Sequence, residues 1–126
     1  MNTAMQVSFD LSSRHPGNPG STELAQFAGI YRWHQPTGSY LFKKFDGNRR
    51  MQYVGVVCRE AYGSRSSWTL GLFKGPIATT ANQKVFVARK MWSPVINMSD
   101  TWLAQSGPVA INTILPFVRV QGPVGA

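Results

Sequence analysis

Few side chains in this sequence could carry out catalysis. The histidines and acids are His15, His34, Asp10, Glu23, Asp46, Glu60 and Asp100. A general acid and a general base must lie within hydrogen-bond reach of the reacting group. A small basic ribonuclease would need a base, an acid and phosphate-binding arginines, and the residues available for these roles are His34, Glu60, Arg59 and Arg65. Their spacing does not favour this arrangement over chance, so we expect a protein that is not an enzyme.

Metal and nucleotide sites also lack their usual residue patterns. One cysteine and two distant histidines do not provide the ligand spacing that zinc requires. Cys58 lies in an apolar stretch, where a thiol usually behaves as a small buried hydrophobe. No glycine-rich phosphate loop follows a strand and opens a helix. We therefore expect no cofactor, no metal and no small-molecule substrate.

The charge balance points to polyanionic partners. Thirteen lysines and arginines oppose five acids, which gives a net charge of +8 and a pI near 10.3. Clustered cations would contact phosphates without sequence preference, and exposed aromatic rings would stack on unpaired bases. The candidate cations are Lys43, Lys44, Arg49, Arg50, Arg59, Arg65, Lys84, Arg89 and Lys90. The candidate rings are Tyr40, Tyr53, Tyr62 and Trp68. The alternative is that the cations protect strand edges and the rings fill the core.

The low charge density indicates a shared surface. Only 14% of residues are charged, against about 25% in an ordinary soluble domain, while 43% are apolar. A monomer of this size needs charged cover to stay dispersed. We therefore expect copies of the same chain or other subunits to cover part of the surface. The chain lacks a run of about 18 apolar residues and a basic-then-apolar leader, so we expect neither a membrane span nor secretion by a signal peptide.

Residues 40–73 predict an antiparallel β-meander. Residues 40–45, 51–58 and 68–73 are rich in aromatic and β-branched side chains. Asp46 and Gly47 suit the first turn, and a Gly/Ser segment suits the second. The second and third strands are apolar at alternate and at intervening positions. Such strands are either central in a sandwich or covered on their second face by another chain.

The remaining segments predict short strands and at most two helical turns. Strands are expected at residues 6–11, 30–34 and 84–90, with an edge strand at 95–98 and an interrupted strand within 109–120. Helical turns are expected at 23–28, capped by Thr22, and at 100–105. Residues 1–5 read as a loose arm and 12–22 as an irregular segment. The predicted organisation is an arm with a short strand (1–22), one β domain (23–120) and a flexible tail (121–126).

The predicted fold class is therefore mainly β. Seven or eight short strands separated by Gly, Pro and Ser turns are typical of a compact antiparallel β-sandwich or barrel, with a jelly-roll-like arrangement as one option.

Three stretches carry a general resemblance to small virion proteins. They run from Arg49 to Cys58, from Ser67 to Phe73 and from Lys84 to Val87. Coat proteins of single-stranded RNA phages are similar in size and in their succession of sheet strands. They end in two helices, whereas prolines interrupt the end of this chain at Pro108, Pro116 and Pro123. Because of this difference, the chain resembles the broader class of coat, minor capsid and cement or decoration proteins rather than this one family.

That resemblance implies a structural role in the virion. The expected partners are copies of the chain or other capsid subunits, together with genomic nucleic acid on a basic face. The alternatives from other classes are a small basic nucleic-acid-binding β-barrel domain and the ribonuclease described above.

Overall fold

The structure, a computed structural model, describes residues 3–10, 21–75, 84–107 and 109–125. It contains one short helix and eight strands, in the order β1 (Thr3–Phe9), α1 (Ser21–Ala25), β2 (Gly29–His34), β3 (Ser39–Phe45), β4 (Met51–Tyr62), β5 (Arg65–Lys74), β6 (Lys84–Met91), β7 (Leu103–Ser106) and β8 (Val118–Gly125). The strands form a curled half-barrel sheet. The prediction of a mainly β fold is confirmed.

The sheet is an antiparallel meander with its last strand added beside its first. Its order is β7-β6-β5-β4-β3-β2-β1-β8. Strands β1 to β6 each pair with the next strand along the chain, and β8 returns to pair with β1. The first and last strands therefore lie side by side in the sheet.

The turn between β3 and β4 forms where the Asp46-Gly47 signal predicts it. The Asp46 carboxylate accepts hydrogen bonds from the backbone N–H groups of Asn48 and Arg50, at 2.8 and 2.9 Å. Arg49 takes a left-handed conformation with φ of 60°. Short side-chain acceptors of this kind close a turn by replacing backbone partners. The charge of Asp46 is thus engaged in holding the loop.

One face of the sheet, the inner face, carries the core. Met5, Tyr31, Leu72 and Phe86 lie on it, in β1, β2, β5 and β6, and are at most 3% exposed. The opposite face of the sheet is called the outer face below. The inner face is covered by a second set of buried side chains, from α1 and the segments beside β7 and β8: Leu24, Phe27, Ile96, Trp102, Leu115 and Phe117.

Two segments outside the regular strands link the ends of the half-barrel. Ile96 and Gly122 exchange backbone hydrogen bonds of 2.6 and 3.0 Å, which joins the segment after β6 to β8. The backbone of Leu115 donates to the Trp102 carbonyl at 2.8 Å. These bonds satisfy backbone groups that would otherwise be buried without partners.

The prediction at the N-terminus is partly wrong. Residues 3–5, expected in a loose arm, belong to β1, which lies between β2 and β8. Met5 is fully buried. The strand was missed because its backbone is held by neighbours on both sides, which the local sequence does not show. The expected irregular segment at residues 12–20 lies outside the described residues. Helix α1 forms at the expected place, although it begins at Ser21 and contains Thr22 rather than being capped by it.

The predictions for the last third of the chain are less accurate. The helical turn expected at residues 100–105 is wrong, because Leu103–Ser106 forms β7 with Ala104 buried against β6. The expected edge strand at 95–98 is a single bridge at Ile96. The expected strand within 109–120 is regular only from Val118 onward. The expected flexible tail is also wrong, since residues 121–125 continue β8. Pairing with β1 supplies these residues with hydrogen bonds that local sequence cannot reveal.

Candidate assembly and polyanion-binding surface

The outer face of strands β3 to β7 forms an open groove of about 630 Å³. Side chains alternate between the two faces of a strand, so every second residue of these strands faces the groove. The side chains that line it on the central strands are Leu41, Val56, Cys58, Glu60, Thr69, Gly71, Phe73 and Val87, and the remaining ones at its margins are Thr37, Ser39, Lys84, Gln105 and Ser106.

The end of the groove toward Phe73 is apolar. Leu41, Val56, Phe73 and Val87 are half-buried there. Gly71 lies under the Phe73 ring, and a Cβ at this glycine would approach the ring to 2.8 Å. The missing side chain therefore lets the ring lie flat on the sheet. None of these apolar side chains has cover from a second layer within the described part of the chain, because the core packs on the other face.

The end toward Glu60 is polar. The Thr69 hydroxyl donates to the Glu60 carboxylate at 3.3 Å, and the Cys58 thiol donates to the other carboxylate oxygen at 3.6 Å. Burial, followed by the negative charge of Glu60 and this hydrogen bond, raises the pKa of Cys58 to about 12. The thiol is therefore protonated at neutral pH and is a poor nucleophile.

A chain of hydrogen bonds lies beside this polar end. His34 Nδ1 and the Thr37 hydroxyl are 2.8 Å apart, and the Thr37 and Ser39 hydroxyls are 2.7 Å apart. Ser39 is buried. His34 and Glu60 lie on the same face, separated by β3, which corresponds to roughly 10 Å between the strands that carry them.

The structure does not bring together the side chains that the ribonuclease hypothesis requires. Arg59 lies on the inner face opposite Trp68, away from Glu60, and Arg65 lies beside the turn between β4 and β5. Among the described residues, no group of three His, Cys, Asp or Glu side chains could hold a metal ion.

The sheet divides the candidate cations between its two faces. Lys43, Lys84 and Arg89 belong to the outer face. Lys43 and Lys84 are exposed. The Arg89 guanidinium lies over the Tyr62 ring at 3.8 Å and donates to Asn112 at 2.7 Å. Arg89 therefore holds the segment after β7 against the hairpin of β4 and β5.

Three other candidates make contacts on the inner side of the sheet. Lys44 donates to Gln26 at 2.6 Å. Arg59 lies over the Trp92 ring at 4.0 Å. The Lys90 side chain is 10% exposed and lies 3.4 Å from the Asp100 carboxylate. Lys90 is thus placed to hold the segment after β6 rather than to meet a large ligand.

The remaining candidates occupy turns, and one further cation joins the outer face. Arg49 and Arg50 are exposed in the β3–β4 turn, and Arg65 is exposed at the start of β5. Arg32, which the sequence analysis did not single out, lies on β2 beside Lys43 in a surface depression of about 380 Å³. Its position alternates with the buried Tyr31, and this alternation was the signal that could have found it.

Most of the candidate stacking rings are packed inside the protein. Tyr40 and Trp68 are 7% and 6% exposed, respectively. Tyr53 packs edge-on against Phe27. Tyr62 is exposed but lies under Arg89. Tyr40 and Trp68 therefore belong to the core, in agreement with the alternative interpretation of these rings.

The comparisons with known proteins give no relative. No protein-family model, no curated protein and no solved structure matches this chain. Within the described ranges, no helix is long and apolar enough to cross a membrane.

Proposed function

We propose that this protein is a structural subunit of a virus particle, as a coat, minor capsid or cement subunit, which assembles through the outer face of its sheet. The observation that carries the proposal is the apolar groove of β3 to β7. A sheet that is apolar on both faces needs a layer on each, and the core formed by the described residues supplies only one.

The exposed apolar side chains support the same proposal. Phe45, Met91, Val95, Ile111 and Ile114 are between 52% and 63% exposed. Single exposed apolar residues are ordinary, but together with the groove they add to the apolar surface available to neighbouring subunits. The low charge density of the chain fits such an arrangement.

Several exposed cations are available for contact with nucleic acid. Arg32, Lys43, Arg49, Arg50, Arg65 and Lys84 are exposed. We propose that those left uncovered by neighbouring subunits contact genomic nucleic acid through its phosphates, in a salt-dependent manner without sequence preference. Arg59, Arg89 and Lys90 contribute less, because their side chains are engaged within the chain.

Electron microscopy and sizing chromatography of the purified protein test this function. We expect large regular particles or stable multimers. Val56→Glu places a charge in the apolar groove and should abolish them, whereas Ser99→Glu adds the same charge at an exposed position and should preserve them. A chain that remains a monomer at high concentration, both alone and with nucleic acid, would contradict the proposal.

A second candidate is a free nucleic-acid-binding domain, favoured by the proximity of Arg32 and Lys43 in one depression. Such a domain would run as a monomer or dimer, and its affinity for oligonucleotides would fall steeply as salt rises. Arg32→Ala and Lys43→Ala would then each reduce the salt dependence by about one counterion, whereas Lys90→Ala would leave it unchanged.

A further inference from the structure

The geometry points to a specific pairing of two copies through the outer-face groove, in which Glu60 of each copy lies opposite Lys84 of the other. The pairing rests on the proposed function, because it names the first contact of an assembling subunit. The two copies are related by a two-fold axis that lies in the plane of the interface and crosses the middle of the groove.

The distribution of charge along the groove motivates this arrangement. Among the described residues that line the groove, Glu60 carries the one carboxylate and Lys84 the one cation. The two residues lie at opposite ends of the groove. Glu60 is on β4, opposite Ser67, whereas Lys84 is on β6, opposite Phe73 at the other end of β5. Strand geometry separates them by roughly 20 Å, so they cannot pair within one chain. None of the ion pairs among the described residues includes either side chain.

A two-fold interface must be complementary to itself. An axis that interchanges the two ends of the groove brings Glu60 of each copy to Lys84 of the other, so the same contact forms twice. The apolar side chains Leu41, Val56 and Val87 lie between the two ends and, with Phe73 beside Lys84, would form the apolar part of the interface. A charged rim around an apolar centre is the usual anatomy of a stable interface.

The groove supplies part of the area that a stable dimer buries. The groove crosses five strands, which corresponds to roughly 20 Å across the sheet, and a similar length along it. The projected footprint of roughly 400 Å² is about half of the ~800 Å² per partner of a standard interface, so exposed groups beside the groove must contribute the rest. Two half-barrels packed on this face would give each sheet an outer layer, which the described residues do not supply.

A second copy fits the groove better than nucleic acid does. The centre of the groove is apolar and offers no cation to a phosphate, and the Glu60 carboxylate at one end would repel a polyanion. The other exposed cations among the described residues lie outside the groove lining, on β2, β3, β4, β5 and β8 and in the β3–β4 turn.

A charge exchange tests the pairing by sedimentation of dilute protein over a concentration series. Lys84→Glu places two carboxylates opposite each other, and Glu60→Lys places two cations opposite each other. We expect each single change to raise the dimer Kd by at least about tenfold. The double variant Glu60→Lys/Lys84→Glu restores the pair in reverse, and its Kd should return to within about threefold of the original.

The control is Arg50→Glu, which makes the same charge change as Lys84→Glu at an exposed turn and should leave the dimer Kd unchanged. Thermal unfolding of each variant shows that it is folded. Glu60→Lys also removes the hydrogen bonds from Thr69 and Cys58, and recovery in the double variant separates that local loss from the loss of pairing.

Several results would overturn the inference. These are a monomer at all concentrations, single variants that dimerise normally, or a double variant that is no better than the singles. Nucleic acid in the groove would give a different pattern, because Glu60→Lys would then strengthen oligonucleotide binding. The proposed shell function and the proposed pairing can be contradicted independently. A charge-sensitive dimer that never forms particles would contradict the shell function. Regular particles that are insensitive to the charge exchange would contradict the pairing.

Discussion

The Tyr31 hydroxyl lies directly over Gly55, and it donates a hydrogen bond of 2.7 Å to the Phe27 carbonyl. Tyr31 is fully buried, and its ring stacks on Phe42 at a centroid distance of 5.1 Å. A tyrosine can cross the inner face of the sheet at this point because the glycine on β4 has no side chain. The turn after α1 is thereby fixed to the centre of the half-barrel.

Gly55→Ala should destabilise the protein, because its Cβ would overlap the Tyr31 ring and hydroxyl. Overpacking of a filled core costs about 1–3 kcal/mol. Gly47→Ala is the matched control, since a Cβ there meets no atom within 4 Å, and its effect should stay within about 0.5 kcal/mol. Chemical denaturation measures both. Equal stability of the two variants would contradict the close contact between Tyr31 and Gly55.

Tyr31→Phe should also lower the free energy of unfolding, for a different reason. It removes the hydrogen bond and leaves the Phe27 carbonyl without that donor, at a cost of about 1–3 kcal/mol. Tyr62→Phe is a suitable control, because Tyr62 is 44% exposed and keeps its ring under Arg89. Denaturation curves in which both variants match the original would show that the buried hydroxyl does not contribute.

The sequence predicted the centre of this fold better than its ends. The Asp46-Gly47 signal located the β3–β4 turn because its determinants are local: one carboxylate and backbone conformations that a few residues favour. β7 and β8 depend instead on partners far along the chain, such as Ala88 for Ala104 and Val7 for Val120. Glycine and proline near residue 122 indicated a tail, and only pairing with β1 makes that segment a strand.

The candidate surface was predictable in part. Apolar residues at both alternating sets of positions in β4 and β5 indicated a second apolar face, and the groove is formed by those strands. The positions of individual cations were only partly predictable, because alternation assigns neighbours such as Lys43 and Lys44 to opposite faces without indicating which face is covered. The contact of Arg59 with Trp92 and that of Lys90 with Asp100 depend on where a non-regular segment returns to the sheet.

Lys90→Met should destabilise the protein more than Lys74→Met does. Lys90 is the less exposed cation, and it donates to the Met91 carbonyl at 2.9 Å as well as pairing with Asp100. Loss of these charge-assisted contacts should cost about 1.5–3 kcal/mol. Lys74 forms the shorter pair, 2.7 Å from Glu23, but its side chain is 52% exposed, so water and salt weaken that pair. Denaturation of both variants at two salt concentrations measures the difference, and a larger loss for Lys74→Met would contradict the ranking.

The Cys58 thiol should remain protonated well into the alkaline range. Its pKa is raised to about 12 from an ordinary value of 9.0, first by burial and then by Glu60. Because the folded state favours the protonated thiol, this group stabilises the fold below about pH 9, and that stabilisation is lost as pH rises from 9 toward 12. The original protein should therefore lose stability more steeply between pH 9 and 11 than Cys58→Ala, in which every other titrating group is unchanged.

Alkylation by iodoacetamide measures the same pKa directly. The rate should still be rising at pH 10, because the thiolate is the reacting form. Glu60→Gln removes the negative charge that helps to raise the pKa, so it should increase the alkylation rate at pH 8.5. Glu23→Gln, which removes a carboxylate on α1, should leave that rate unchanged. A rate that levels off near pH 9 in the original protein would show an ordinary thiol, and the contact between Cys58 and Glu60 would then have no electrostatic effect.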